Sequence, residues 1–190
     1  MFIPVVLGSV REQRRSLAPA KLLVEKIKAL GHESELVDFK EMPLPFYDLP
    51  TVPVGLKGIY PNENAQKWSN IAKRADAFVL VVSEYNHGYS AVLKNALDWL
   101  YMEFNRKPFG MVGVSDGKYG AMRGMEQLRQ VIENFGAMAI REVVAFGPAQ
   151  DAFDAEGKLT DESYLKKVDG MLKVLVEFAE ALKPIRQELK

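Results

Sequence analysis

The sequence predicts a doubly wound α/β fold: a five-stranded parallel sheet in the order 2-1-3-4-5, with helices on both faces. Three observations carry that prediction. Apolar runs of strand length alternate with segments whose apolar residues recur at the helical period. The run Ala77-Phe78-Val79-Leu80-Val81-Val82 is continuous, as in a parallel strand covered on both sides. Residues 33–38, Glu-Ser-Glu-Leu-Val-Asp, are polar for a strand in such a sheet, which sends them to an edge and favours this order over a six-stranded dinucleotide fold.

The elements follow in chain order. Phe2 to Leu7 reads as the first strand, with Pro4 confined to its start or to a bulge because proline lacks a ladder donor. Ser16 is placed to cap a helix whose apolar positions Ala20, Leu23, Val24, Ile27 and Leu30 follow the helical period, and Gly31 stops it. After the edge strand, Pro43, Pro45, Pro50, Pro53 and Pro61 exclude a long helix or a central strand, so 42–61 is an extended surface loop. Its length makes Phe46, Tyr47 and Asp48 secondary site candidates, with clamping of the loop onto the body as the competing reading.

Asn62 or Asn64 starts a helix to Arg74, followed by the strand at 77–82. The helix after Ser90 keeps Val92, Ala96, Trp99 and Leu100 on one face. Pro108 to Val114 is the fourth strand, a helix runs from about Ala121 to Phe135, Gly136 breaks the chain, and a fifth strand covers Ala137 to Phe146. A last helix, capped by Thr160 with Asp161 and Glu162 in its first turn, repeats Leu165, Val168, Leu172, Leu175, Ala179 and Leu182.

Composition narrows the function classes. With 190 residues and 48% hydrophobic content, the chain can bury a full core as a single domain over 1–190. Lys plus Arg and Asp plus Glu both total 25, so no net field favours nucleic acid or an anionic membrane surface. The absence of cysteine removes disulfides, thiolate catalysis and iron–sulfur ligation, and with only His32 and His87 no metal site is expected. The apolar part of the N-terminus is too short for a signal sequence and no run reaches membrane-spanning length, so the expected location is the cytoplasm.

Three loops then fall at the carboxyl ends of strands one, three and four, where open α/β sheets hold ligands. Gly8-Ser9-Val10-Arg11-Glu12-Gln13-Arg14-Arg15-Ser16 joins a strand to a helix N-terminus, whose free N–H groups and dipole favour a phosphate. Ser9 and Ser16 can donate to phosphate oxygens and Arg11 offers two-point contact, while Arg14 and Arg15 reach either solvent or a second anion. The loop has neither a G-x-G-x-x-G nor a P-loop pattern, so a terminal phosphate monoester fits it better than a nucleotide fingerprint. The second loop supplies Glu84, Tyr85, Asn86, His87 and Gly88; the third, from Gly113 to Arg123, is glycine-bearing and again opens a helix. Gly113-Val114-Ser115-Asp116-Gly117 is a literal G-x-S-x-G, but both histidines precede Ser115, against the chain order of a hydrolase fold.

These residues together resemble the NADPH-dependent FMN reductase family, which includes flavodoxin-like quinone, azo-dye and chromate reductases. The resemblance lies in Gly8-Ser9-x-Arg11 with Ser16, in Glu84-Tyr85-Asn86-His87-Gly88-Tyr89 followed by Leu93-Lys94-Asn95-Ala96-Leu97-Asp98, and in Ser115-x-Gly117 with Gly120, Arg123 and Gln127-Leu128-Arg129. It spans most of residues 2–146. Ser83, Ser90 and Asp116 depart from it, each standing where the family often has proline.

The resemblance implies a flavodoxin-like fold and a noncovalent FMN, with NADPH or NADH as co-substrate. It assigns the phosphate to Ser9, Arg11 and Ser16, with Arg15 beside them, the ribityl chain and ring to Glu84, Tyr85, Asn86 and His87, and the far edge of the ring to Ser115, Asp116 and Gly117. Hydride would pass from NAD(P)H to the flavin and on to a small acceptor such as a quinone, free flavin or azo compound. No side chain need act as nucleophile or base, so no catalytic residue is assigned. Arg14 or Arg15 is a candidate contact for the 2′-phosphate of NADPH. The resemblance also implies a homodimer or homotetramer, and the aromatic stretch Trp99 to Phe104 fits an oligomer surface or, equally, core. The alternative in a different class is a flavodoxin-like one-electron carrier, disfavoured by the Arg-bearing loop and the zero net charge.

Overall fold

Residues 1–187 are described by a computed structural model; the last three residues of the expected 1–190 domain lie outside the described residues. The strands are β1 (Val5–Leu7), β2 (Leu36–Asp38), β3 (Phe78–Tyr85), β4 (Gly88–Tyr89), β5 (Pro108–Val114) and β6 (Met138–Phe146). Five of them run parallel in the order β2-β1-β3-β5-β6, the expected 2-1-3-4-5 arrangement. The sixth, β4, was not expected: it folds back antiparallel on β3, pairing Glu84 with Tyr89 and Tyr85 with Gly88.

Among the described residues six helices accompany the sheet: α1 (Leu17–Ala29), α2 (Glu63–Arg74), α3 (Ala91–Asp98), α4 (Met122–Asn134), the short α5 (Ala149–Ala152) and α6 (Ser163–Gln187). The period of two along β3 explains its unbroken apolar run. Phe78, Leu80 and Val82 face Trp68 of α2, Leu93 of α3 and Leu128 of α4, while Val79 and Val81 face Leu23 of α1 and Leu172 of α6. With both faces covered, every position from Phe78 to Val82 is fully buried.

Several ends differ from expectation. Pro4 stands just before β1, and Phe2 makes only an isolated bridge to Glu33, so the first strand is shorter than Phe2 to Leu7. Asn62 caps α2 by accepting from Ala65 N at 3.0 Å, and Ser90 caps α3 by accepting from Leu93 N at 3.2 Å. Ser16 does not cap α1: its backbone is already helical, at φ −71° and ψ −11°, which turns its side chain away from the free N–H groups of the first turn. Thr160 spends its hydroxyl on the carbonyl of Asp151, and Asp161 instead accepts from Ser163 N at 2.8 Å where α6 begins.

The proline-rich segment is an extended loop with one 3-10 turn at Pro53–Leu56, held against α3. Trp99 Nε1 donates to the carbonyl of Pro45 at 2.8 Å, Asn95 Nδ2 donates to the same carbonyl at 2.9 Å, and the Tyr47 ring meets Trp99 edge-on at 5.0 Å. Clamping therefore accounts for Tyr47. The aromatic stretch after α3 is core: Trp99, Leu100 and Phe104 are buried and only Met102 is well exposed. Between these parts lies a buried carboxylate, Glu103, whose Oε1 accepts from Tyr60 Oη at 2.9 Å and Ser69 Oγ at 2.7 Å. Among the described residues no helix is long and apolar enough to cross a membrane.

Candidate functional site

The loops after β1, β3 and β5 converge on one cavity of about 600 Å³. Of the residues expected there, Ser9, Arg11, Arg15 and Ser16 line it from the first loop, Glu84 and Tyr85 from the second, and Ser115, Asp116 and Gly117 from the third. Asn86 and His87 do not line it. They are the exposed central pair of the β3–β4 hairpin, with φ of 49° and 69°, the left-handed geometry that a two-residue type I′ turn demands.

The first loop is tied down at Gly8. Its N–H donates to the carbonyl of Val81 at 2.9 Å, and a Cβ on Gly8 would stand 2.6 Å from that same oxygen, so only glycine brings the chain this close. The Gly8 carbonyl accepts from the buried hydroxyl of Ser90, which joins the loop to the start of α3. From there the chain turns at Gln13, φ 49°, into α1. Ser9 and Ser16 are buried, at 3% and 2% exposure, and Ser16 Oγ has no hydrogen-bond partner among the described residues. Arg14 is drawn inward to Asp38 at the end of β2, whereas Arg11 and Arg15 are exposed. Of the alternatives open to Arg14, solvent is excluded: its side chain is only 8% exposed, paired to a carboxylate across the sheet edge.

Charge around the cavity is arranged without a bare carboxylate facing the helix start. Glu12 pairs with Lys40 at 2.6 Å, and that ammonium holds its carboxyl below the usual range. Arg15 Nε meets Asp116 Oδ1 at 2.9 Å across the mouth, linking first and third loops through an exposed pair of small energetic weight. Glu84 Oε2 accepts from Gly124 N at 3.1 Å, filling an open N–H in the first turn of α4 and fastening the hairpin to that helix.

In the third loop, Ser115 Oγ accepts from Gly117 N at 3.0 Å, and the Ser115 carbonyl accepts from Ala149 N at 2.9 Å. Neither histidine lines the cavity, so Ser115 has no imidazole to activate it there. The walls also include residues to which the sequence reading gave no role there: Glu12, Gln13, Ser83, Val114 and Ala149. Ser83 and Val114 could have been found, as the last inward positions of their strands. Ala149 follows the carboxyl end of β6, at the same end of the sheet as the other loops, but no motif in its own segment marks it.

Comparison with known proteins gives the same reading. Residues 1–151 match the model of the family described as NADPH-dependent FMN reductase. An NAD(P)H-dependent FMN reductase of Schizosaccharomyces pombe is 38% identical over 130 residues, 68% of this chain and 64% of that protein, so the match spans less than two thirds of that relative. An FMN-dependent NADPH-azoreductase of Staphylococcus aureus is 27% identical over 92% of this chain and 93% of its own. Among solved structures, the flavoenzyme NAD(P)H:(acceptor) oxidoreductase FerB of Paracoccus denitrificans superposes with a TM-score of 0.77 at 24% identity, covering 95% of this chain and 97% of that one; this likeness speaks to the fold. With its flavodoxin-like sheet, the chain belongs to the NADPH-dependent FMN reductase family.

Proposed function

We propose that the cavity between the three loops holds FMN noncovalently and that electrons pass from NADPH or NADH through it to quinones, free flavin or azo compounds. The observation that carries this reading is Ser16: a buried hydroxyl without a partner, beside buried Ser9, at the start of a helix. A buried, unpaired hydroxyl costs about 1–3 kcal/mol, and a phosphate oxygen would relieve it. The cavity volume of about 600 Å³ falls in the range of cofactor sites.

In this reading Ser9, Ser16, Arg11, Arg15 and the first N–H groups of α1 bind the phosphate. Glu84, with one carboxylate oxygen on Gly124, keeps the hairpin in position, and Tyr85 forms an exposed wall. Ser115, Asp116 and Gly117 bound the other edge of the ring, while Asn86 and His87 stand outside the cavity at the exposed hairpin tip. When bound, FMN supplies hydride acceptance at N5 and onward reduction. The chain binds it, orients one face and leaves the other open to nicotinamide and acceptor in turn. That openness supports a broad acceptor range, including the quinones and azo compounds named above.

Residues 1–190 would act as one domain, supported by two core clusters on opposite faces of one sheet. Exposed Phe46 and Ile59, at 77% and 76%, support association into a homodimer or homotetramer, testable by sedimentation. Use of NAD(P)H supports a cytoplasmic location. The experiment for the function is anaerobic rapid mixing of FMN-loaded protein with NADPH and NADH, followed by each acceptor. Bleaching of the flavin and its recovery are expected; no bleaching with either nucleotide would overturn the reading.

A further inference from the structure

We propose that Arg14, held in place by Asp38, is the residue through which this chain distinguishes FMN from flavin lacking the phosphate, and that Asp38 is its positioning residue. The inference rests on FMN occupying the cavity. Three arginines stand near the phosphate-type loop, but they differ in environment. Arg11 is exposed and the Arg15 side chain is 53% exposed, so water and salt screen both. Arg14 is 8% exposed and lines the cavity, where a charge acts through a less polarisable surrounding.

Its hydrogen bonding is incomplete in a specific way. Nη2 donates to Asp38 Oδ2, while Nε and Nη1 are buried without a partner. A guanidinium normally spends its donors when buried, because unpaired ones carry a desolvation cost. Here the unspent donors share the cavity wall with the unspent hydroxyl of Ser16, and an oxyanion is the ligand that satisfies both.

Asp38 is itself fixed. Its Oδ1 accepts from Lys40 N at 3.0 Å, and its carbonyl accepts from Glu41 N at 3.1 Å and Met42 N at 3.0 Å. The carboxylate thus lowers the cost of burying Arg14 in the empty protein and aims the guanidinium from an adjacent strand. The other charges near the pair, Glu12 and Lys40, neutralise each other.

The test compares dissociation constants for FMN and riboflavin, read by flavin fluorescence, in wild type, Arg14→Ala, Arg14→Lys and Asp38→Asn. Loss of a charge-assisted contact to phosphate predicts that Arg14→Ala weakens FMN binding by about 30-fold with riboflavin binding unchanged. Arg14→Lys recovers part of the loss, and Asp38→Asn lowers FMN affinity alone, by about 5-fold for a misaimed contact. A merely structural role would weaken both flavins together. Should Arg14→Ala fail to fold, the charge-free pair Arg14→Leu with Asp38→Leu carries the test, with the preference for FMN over riboflavin reduced by about the same 30-fold. Equal losses for both flavins, or no change in the ratio, overturn the inference while wild-type FMN binding leaves the proposed function standing. Wild type that takes up no FMN overturns both.

Discussion

Replacing Ser90 by alanine probes how the first two loops of the site are tied together. The Ser90 hydroxyl is buried and makes two bonds, donating to the carbonyl of Gly8 and accepting from Leu93 N at 3.2 Å. Removing the acceptor takes away the cap of α3, which costs about 1 kcal/mol. Removing the donor strips the Gly8 carbonyl of its partner in a buried place, about 2 kcal/mol more. The sum of about 3 kcal/mol corresponds to a fall in Tm of about 6–12 °C for a chain of this size. FMN affinity should fall as well, because Gly8 opens the phosphate-type loop. Urea and thermal unfolding followed by circular dichroism give the stability, and Ser90→Thr, which keeps the hydroxyl, should stay much closer to wild type. If Ser90→Ala unfolds within about 0.5 kcal/mol of wild type, the two bonds do not hold the loops as argued.

Three further outcomes are expected. His87→Gly should stabilise the protein by about 1 kcal/mol, because φ of 69° suits glycine and Asn-Gly is the favoured type I′ pair; a lower urea midpoint would show that the imidazole makes a needed contact. Burial, then the Glu103 carboxylate, pushes the Tyr60 phenol well above its ordinary 10.0. Stability from this group is therefore constant below pH 10.0 and declines as pH rises beyond it, since the unfolded chain releases a proton the folded chain keeps; a pH series of urea midpoints should show this slope reduced in Tyr60→Phe. Gly113→Ala should cost about 3 kcal/mol or more, with a Cβ forced to within 2.0 Å of the Gly120 carbonyl and 2.7 Å of Met125 Cε, and near-native stability would contradict the packing of β5 on the third loop.

The parts of the fold that were legible are those where local composition reports burial directly. β3 was readable because both of its faces are covered, and the polar run before Asp38 marked an edge that fixed the strand order. β4 was not, because its turn carries Asn86-His87 rather than the Asn-Gly pair that announces such hairpins. Ser16 looked like a cap from its place before an apolar helix, yet its helical backbone freed the hydroxyl for the cavity. Trp99 and Phe104 show the limit of periodicity, which marks an apolar face without telling core from interface. In the site, the loops were visible as glycine- and serine-bearing strand ends. The different fates of Arg11 and Arg14 were not, since they depend on the turn at Gln13 and on Asp38, which lies 24 residues further along the chain.

The central claim is that the loop from Gly8 to Ser16 is a phosphate site for bound FMN. A crystal structure of the protein with FMN tests it most directly. The account predicts the phosphate at the start of α1, with an oxygen in hydrogen-bond reach of Ser16 Oγ and the ring between Tyr85 and Ser115 to Gly117. A phosphate lodged elsewhere, or a Ser16 hydroxyl still without a partner in the flavin-bound protein, would contradict it.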